Sequence, residues 1–184
     1  ILASGSPRRK ELLQMLEVPF EVLVSDTKEV ITKNEPAEVT KELSYQKAMA
    51  VAGQVEEGII IGADTVVSID GKILGKPADT EEAREMIYKL QGKSHMVYTG
   101  VTVIAKSGDM VSASSFAEGT KVNVAPMTEN EIEAYISTDE PYDKAGAYGI
   151  QGLFGKFIEG IKGDYFNVVG LPVHRLYEEL KKFD

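Results

Sequence analysis

A short basic segment near the N-terminus, ASGSPRRK (residues 3–10), combines residue types that bind phosphate. Ser6 is the predicted N-cap of a helix, and the free backbone N–H groups at a helix start donate hydrogen bonds to anions. Arg8 and Arg9 add permanently charged donors that suit phosphate oxygens. Cations at this end of a helix are unfavourable by about 0.3–1 kcal/mol each, and a bound polyphosphate would remove that repulsion. Charge alone leaves a solvated basic turn as an equal alternative.

Asp64 is a carboxylate inside an apolar strand sequence, between IIIGA and TVVSI. Burial of a carboxylate is costly unless the group is paired, hydrogen-bonded or bound to a metal ion. A bulge at Gly62 that exposes the side chain, or a salt bridge, is the alternative to a functional role. Thr65 follows directly and would point to the opposite face of a regular strand, so a site that used both residues would need the strand to end or twist there.

Four further polar residues are candidates, each with an ordinary alternative. Lys76 lies between a glycine and a proline in LGKPAD, and a lysine on such a constrained turn either binds phosphate or faces solvent. Lys47 lies in the middle of a predicted helix, and Glu29 lies in a polar loop among other acids. Gln151 ends the segment DKAGAYGIQ, whose glycines would let the backbone approach a ligand closely; a surface loop is the alternative.

Cations that bind phosphate, combined with isolated carboxylates, indicate metal-assisted phosphoryl or nucleotidyl chemistry. Carboxylates hold Mg²⁺, cations hold phosphates, and a carboxylate or the metal ion activates water. Two common nucleotide-binding motifs are absent, since the sequence has neither GxxxxGK[ST] nor GxGxxG opening a helix after a strand. Spacing alone does not show that the candidate residues converge.

The composition limits the classes of function. With 184 residues and a formal net charge of −9, the chain is acidic, which disfavours non-specific binding to nucleic-acid phosphates. It has no cysteine, which excludes disulfides, thiolate zinc sites and a cysteine nucleophile. No apolar run approaches the roughly 18 residues of a membrane span, and no signal peptide is recognised. We therefore expect a cytoplasmic protein that binds neither membranes nor nucleic acid directly.

Helices and strands are interspersed along the chain, which predicts an α/β fold with a mixed sheet. Asp70 and Gly71 predict a two-residue hairpin turn, and capping-box spacing at Asp79 and Thr128 predicts two helix starts. Short strands are predicted at ILAS and PFEVLVS, and two more within residues 155–171. Further helices are predicted over 8–17, 37–55 and 172–183.

Six motifs, found in order from about residue 1 to residue 180, resemble the Maf family of nucleoside triphosphate pyrophosphatases. They are LASGSPRRKELL, SYQKA, IIGADTVV, GKPAD, DKAGAYGIQG and GDYFNVVGLP. Each motif alone is modest, but the ordered set is specific. Arg8, Thr65 and Gln151 together resemble the branch that acts on dTTP and UTP, rather than the sister branch that prefers 7-methyl-GTP.

The resemblance implies a single domain over residues 1–184 with a mixed, strongly twisted sheet flanked by helices, two lobes and a central cleft. This fold is similar to that of the inosine-triphosphate pyrophosphatases. It also implies hydrolysis of a nucleoside triphosphate to the monophosphate and pyrophosphate, with a divalent cation, Mg²⁺ or Mn²⁺. Asp64 matches the family's proton acceptor, and Glu29 is its expected partner in holding the metal ion. The other positions that match catalytic or substrate-binding residues are Ser6, Arg8, Arg9, Lys47, Thr65, Lys76 and Gln151.

In the mechanism that this implies, water activated by Asp64 attacks the α-phosphorus while the cations bind phosphate oxygens. Thr65 and Gln151 would hydrogen-bond the pyrimidine edge, and a modified pyrimidine nucleotide is equally compatible as substrate. The family name reflects an effect on septum formation, so the alternative is a nucleotide-binding regulator of cell division that acts through a protein partner. The resemblance also favours a homodimer.

Overall fold

The computed structural model describes residues 1–24, 26 and 28–183. Three residues lie outside the described residues. Ser25 is the last residue of the predicted strand PFEVLVS, Thr27 belongs to the polar loop after it, and Asp184 ends the predicted domain. The helices are α1 (Pro7–Gln14), α2 (Pro36–Ala52), α3 (Thr80–Leu90), α4 (Glu129–Ile136), α5 (Tyr165–Val169) and α6 (Val173–Leu180). The strands are β1 (Glu57–Ile69), β2 (Lys72–Leu74), β3 (Ser94–Ser107), β4 (Met110–Val124) and β5 (Ile158–Lys162).

Within the described residues, the five strands form one sheet in the order β2-β1-β3-β4-β5. β1 pairs antiparallel with β2, and β4 pairs antiparallel with β5. The predicted hairpin is confirmed, because Asp70 and Gly71 form its turn at φ angles of 51° and 73°, the left-handed conformation that this type of turn requires. An antiparallel sheet flanked by helices confirms the predicted α/β class.

The chain divides into two compact units, whose sequence ranges alternate. The first contains residues 1–65, 99–118 and the chain from Gly170 onward. The second contains residues 66–98 and 119–169. β1, β3 and β4 each begin in one unit and end in the other, which is why no linker sequence marks the division.

In the first unit, glycines on two strands allow α2 to pack close to the sheet. A Cβ added at Gly62 on β1 would lie 2.9 Å from the Ala48 Cβ, and one at Gly100 on β3 would lie 2.6 Å from the Lys41 backbone nitrogen. Real Cβ atoms do not approach other atoms so closely, so these positions require glycine. Small and branched side chains then fill the contact, in the buried cluster Ala3, Ala48, Val51, Ala52, Ile60 and Ile104.

The second unit is built around aromatic side chains. Phe154 is fully buried, and its ring centre lies 5.1 Å from that of Tyr135, 4.7 Å from that of Tyr148 and 5.6 Å from that of Phe157. Such spacing is typical of favourable tilted and edge-to-face ring pairs.

The predicted starts of α3 and α4 are confirmed: the Asp79 and Thr128 side chains accept the N–H groups of Glu82 and Glu131.

Several element predictions were wrong in extent or type. α1 ends at Gln14 rather than at residue 17, and Glu17 has a φ of 55°, which no helix allows. The ILAS segment contributes single parallel bridges from Leu2 rather than a strand. The second strand predicted within 155–171 is helix α5, because the Asp164 carboxylate accepts the N–H of Phe166 at 2.8 Å and starts a helical turn. None of the helices in the described ranges is long and apolar enough to cross a membrane.

Candidate active site

The basic segment forms the start of α1, as the sequence predicts. Ser6 is the N-cap, and its Oγ accepts the Arg9 N–H at 3.5 Å, while Pro7 lies in the first turn. Ser4 is buried, and its Oγ accepts the Ser6 N–H at 3.4 Å. Arg8 lies on the same turn and is half-buried. Both arginines therefore lie at the positive end of α1. The contacts of the Arg9 side chain stabilise its charge there.

The Arg9 side chain is held at three points within the first unit. Its Nε donates to the Gly170 carbonyl oxygen at 2.9 Å and its Nη1 to the Ser4 Oγ at 3.2 Å. Its Nη2 donates to the Thr65 Oγ1 at 3.0 Å. Burial lowers the pKa of the Arg9 guanidinium, and the Asp64 carboxylate opposes that shift. A guanidinium has five N–H donors, so within the described residues each terminal nitrogen keeps one N–H with which to bind an anion.

Thr65 takes part in this network on β1. Its hydroxyl accepts from Arg9 and shares a 2.9 Å hydrogen bond with the Thr99 hydroxyl on β3. Thr99 is fully buried. Asp64 and Thr65 both lie within β1, which continues to Ile69, so the strand does not end between them. The observed partners of Thr65 assign it to the orientation of Arg9, and its contact with a base stays a prediction.

Two of the predicted carboxylates converge on one lysine. The Lys47 Nζ lies 2.5 Å from the Asp64 Oδ1 and 3.0 Å from the Glu29 Oε1. The Asp64 side chain on β1 is 13% exposed to solvent, that of Lys47 on α2 is 26% exposed and that of Glu29 in the loop is 47% exposed. Asp64 is therefore the most buried of the three charged groups. The salt bridge that the sequence left open as an alternative for Asp64 therefore exists, and it brings together three of the predicted site residues.

Close packing of α2 against β1 explains this convergence. Gly62, two residues before Asp64, lies against the backbone of Ser44 and the side chain of Ala48. Lys47 lies between those two residues on α2 and so reaches the strand at the level of Asp64. The Ser44 hydroxyl also shares a 2.9 Å hydrogen bond with the Thr102 hydroxyl on β3, which fixes the helix on the sheet. The lysine and the carboxylate are therefore positioned by non-local packing.

The carboxylate pair also sets what kind of metal ion the site could hold. No group of three or more histidine, aspartate or glutamate side chains with ligand spacing occurs in residues 1–24, 26 and 28–183. Mg²⁺, however, is commonly held by one or two carboxylates together with substrate phosphates. Glu29 and Asp64 already face one cation, the Lys47 ammonium, so their donor chemistry fits a metal ion shared with a phosphate ligand.

The two remaining predicted residues, Lys76 and Gln151, lie in the second unit. Lys76 is exposed and follows β2, and the preceding Gly75 carbonyl accepts the Gly146 N–H at 2.9 Å. Gly146 has a φ of 71°, and a Cβ there would meet the Val67 side chain at 2.8 Å, so both its conformation and its surroundings require glycine. Gln151 is exposed in the turn that follows. The glycine-rich segment is thus ordered by contacts, unlike a simple surface loop.

The sequence alone did not indicate the positioning role of three residues in these sites. Ser4 and Thr99 hold Arg9 and Thr65, and Glu140 holds the segment around Gln151 through the backbone N–H groups of Leu153 and Phe154. Ser4 lies in the basic segment, where its hydroxyl was expected to bind phosphate; in the structure it accepts from Arg9. Thr99 and Glu140 act on residues 34 and 13 positions away, and nothing in their local sequence indicates those partners.

Comparisons with known proteins identify the family and the relatives of this chain. A family profile described as Maf-like protein matches residues 1–183. A dTTP/UTP pyrophosphatase of Bacillus cytotoxicus is 54% identical over 185 aligned residues, which cover 100% of this chain and 95% of that protein. One from Bacillus cereus is 50% identical with the same coverage. Among solved structures, the Staphylococcus aureus Ham1 protein is similar at a TM-score of 0.54 and 13% identity over 100% of this chain and 98% of its own, which supports the predicted fold.

Proposed function

Because the chain belongs to the Maf family, we propose that it hydrolyses dTTP and UTP to the nucleoside monophosphate and pyrophosphate. The observation that carries the proposal is the similarity, over the full length of this chain, to dTTP/UTP pyrophosphatases of two Bacillus species. The geometry of the first unit supports it, since the Arg9 guanidinium and the Lys47 ammonium contact neighbouring residues of β1, Thr65 and Asp64. These are the groups that cleavage of a phosphoric anhydride needs.

Arg9 and the start of α1 are the proposed phosphate-binding groups. The N–H groups left on the Arg9 guanidinium form a planar pair of donors, which suits two phosphate oxygens. The Ser6 hydroxyl and the helix N–H groups add neutral donors, and Arg8 adds charge on the same turn. Since three protein contacts already hold Arg9, little side-chain freedom is lost when phosphate binds.

Asp64 is the proposed general base, and Lys47 controls its availability. In the structure, Asp64 shares the Lys47 ammonium with Glu29. Phosphate oxygens compete for that ammonium, which would leave Asp64 as a proton acceptor for water. The water oxygen forms a bond to the α-phosphorus as its proton passes to Asp64. The bond from the α-phosphorus to the bridging oxygen breaks, and pyrophosphate leaves with that oxygen.

A divalent cation is part of the proposal. Glu29 and Asp64 are the residues that would hold Mg²⁺ or Mn²⁺ together with the phosphates. When bound, such an ion neutralises phosphate charge and lowers the pKa of bound water.

Gln151 is the first of the residues that we propose to select the base. Gln151 presents an amide with both donor and acceptor atoms, which can match a pyrimidine edge. A site that hydrogen-bonds the base rejects a mismatched one because its own polar groups are then left unpaired. Thr65 and Arg8 are the other proposed selectivity residues, and Lys76 is proposed to bind phosphate.

The test is release of pyrophosphate from a panel of nucleotides with Mg²⁺ or Mn²⁺, comprising dTTP, UTP, CTP, 7-methyl-GTP and modified uridine triphosphates. We expect pyrophosphate and the monophosphate from dTTP and UTP. Asp64→Asn should abolish turnover while circular dichroism shows an intact fold, and Asp70→Asn, the same change in the β1–β2 turn, should leave turnover unchanged. A preference for 7-methyl-GTP would overturn the substrate assignment. Absence of pyrophosphate from every nucleotide would favour a nucleotide-binding regulator of septum formation.

The predicted homodimer and cytoplasmic location stay predictions. Sedimentation at micromolar concentration would test whether the protein is a homodimer.

Modified pyrimidine nucleotides are included in the panel because one methyl group changes the binding energy in a pocket by only about 1–3 kcal/mol. Selection between normal and modified pyrimidines therefore requires measured kcat/KM ratios.

A further inference from the structure

Glu140 is the first residue of a 3-10 helix, Glu140–Asp143, that follows α4, and its side chain contacts the turn that carries Gln151. Its Oε2 accepts the Leu153 N–H at 2.7 Å, and its Oε1 accepts the Phe154 N–H at 3.3 Å. Those N–H groups begin a 3-10 helix, Leu153–Phe157, whose N-cap is a glycine without a capping side chain. The carboxylate thus supplies from a distance the cap that the local sequence lacks.

The same carboxylate is itself fixed by a buried tyrosine. The Tyr135 hydroxyl donates to the Glu140 Oε1 at 3.0 Å, and only 4% of Tyr135 is exposed. Burial, with the Glu140 charge beside it, raises the pKa of Tyr135, so its hydroxyl stays a donor. Tyr135 therefore fixes the carboxylate that holds the backbone just after Gln151.

Just before the residues that Glu140 holds, the backbone makes a tight turn. The Gly152 N–H donates to the Gly149 carbonyl at 3.3 Å, and Ile150 and Gln151 are the central residues of the turn. Gly152 has an ordinary φ of −101°, yet a Cβ there would overlap the Glu140 carboxylate. Glycine is thus required at this position by the approach of Glu140. Gln151 is exposed in this turn, two residues before the first backbone N–H that Glu140 accepts.

We propose that Glu140 is a positioning residue for Gln151 and so sets the selectivity for the base. This inference rests on the proposed function, because it concerns the base of the nucleotide substrate. Glu140 need not contact the nucleotide. Its loss would release the 149–154 turn, spread Gln151 over many orientations and weaken recognition of the base, while the phosphate-binding residues of the first unit keep their own contacts.

The variant that tests this is Glu140→Gln, which keeps the shape of the side chain but replaces one acceptor oxygen with an amide donor. Glu133→Gln is the matched control, since Glu133 is a carboxylate on α4 of similar accessibility that pairs with Arg84 instead. The rate of amide hydrogen exchange in the whole protein, followed in the segment 149–157, measures how firmly the turn is held. Exchange should accelerate in Glu140→Gln and stay unchanged in Glu133→Gln; unchanged exchange in both would overturn the inference.

The kinetic readout separates the base from the phosphates. In Glu140→Gln, the KM for UTP should rise about tenfold, as expected for loss of one charge-assisted hydrogen bond, with a smaller change in kcat. The KI of inorganic tripolyphosphate, a competitive inhibitor without a base, should stay unchanged. A parallel weakening of UTP and tripolyphosphate would show a merely structural role and overturn the proposal.

A double-mutant cycle tests whether the effect passes through Gln151. If it does, Glu140→Gln added to Gln151→Ala should raise the KM for UTP no further than Gln151→Ala alone. Additive effects would overturn the proposal. Tyr135→Phe removes only the hydroxyl that fixes Glu140 and serves if Glu140→Gln does not fold. If the wild-type protein does not hydrolyse UTP, the proposed function fails, and hydrogen exchange still decides whether Glu140 holds the turn.

Discussion

His95 is a buried histidine that the folded protein holds in its neutral form. Only 3% of the residue is exposed, and its Nε2 lies 2.6 Å from the Tyr148 hydroxyl. Within the described residues its Nδ1 has no hydrogen-bond partner, so a second N–H on the protonated ring would have no acceptor there. Burial lowers the pKa of His95 from 6.5 to about 4. The folded state therefore resists protonation of a group that the unfolded chain protonates readily.

The direction of the pH dependence follows from these two pKa values. Between pH 6.5 and pH 4 the unfolded chain binds a proton at His95 that the folded protein does not, so lowering the pH through this range favours unfolding. The contribution to stability is complete above pH 6.5 and is lost as the pH falls toward 4. At about 1.4 kcal/mol per pH unit, moving from about pH 7.5 to pH 5 lowers the free energy of unfolding by about 2 kcal/mol through this residue.

Urea unfolding followed by circular dichroism would measure this effect at several pH values. Other groups titrate as well, so the quantity of interest is the difference between wild type and His95→Gln, which retains a polar side chain near Tyr148 but does not titrate. That difference should move by about 2 kcal/mol against the wild type between about pH 7.5 and pH 5. His174→Gln, at an exposed histidine, is the control and should show no such trend. A constant difference between wild type and His95→Gln would refute the reasoning.

Three further outcomes are expected. Gly100→Ala should destabilise the protein by about 1–3 kcal/mol, because α2 must move, whereas Gly160→Ala, at a strand glycine with open space around it, should change stability by less than about 0.5 kcal/mol in the same unfolding assay. Thr99→Val should lower kcat/KM for UTP, and Thr99→Ser should restore it, since only the hydroxyl orients Thr65 and Arg9; equal activities would contradict the network. A non-hydrolysable UTP analogue with Mg²⁺ should raise the Tm of the protein. An unchanged Tm would contradict the proposal that the basic segment binds phosphate.

Local chemistry predicted the parts of the fold that depend on few residues. The Asp70-Gly71 hairpin and the caps at Asp79 and Thr128 formed as expected, because each is decided within three or four neighbouring positions. The strand predicted after residue 162 failed for an equally local reason. Asp164 offers its carboxylate to the Phe166 N–H, and this outweighs the strand tendency of the residues that follow.

Contacts between distant segments decided the rest of the site. The position of Asp64 within an apolar strand sequence indicated a functional residue. Its pairing with Lys47, however, depends on how closely α2 packs on β1, and therefore on Gly62. Glu140 carried no signal, because its partners are backbone N–H groups 13 and 14 residues away. Side-chain type can indicate which chemistry is available, whereas backbone partners of this kind require the three-dimensional structure.

The charges of the first unit explain why phosphate and a divalent cation belong together in the proposal. Arg8, Arg9 and Lys47 supply three positive charges, and Asp64 and Glu29, which also act on Arg9, offset two of them. A triphosphate carries several negative charges, and Asp64 and Glu29 add two more beside it. If phosphate takes Lys47, both carboxylates lose their partner and become available to a second cation. Lys47 is thus the counterion of Asp64 and Glu29 in the structure, and in the proposed reaction a metal ion that arrives with the nucleotide would replace it.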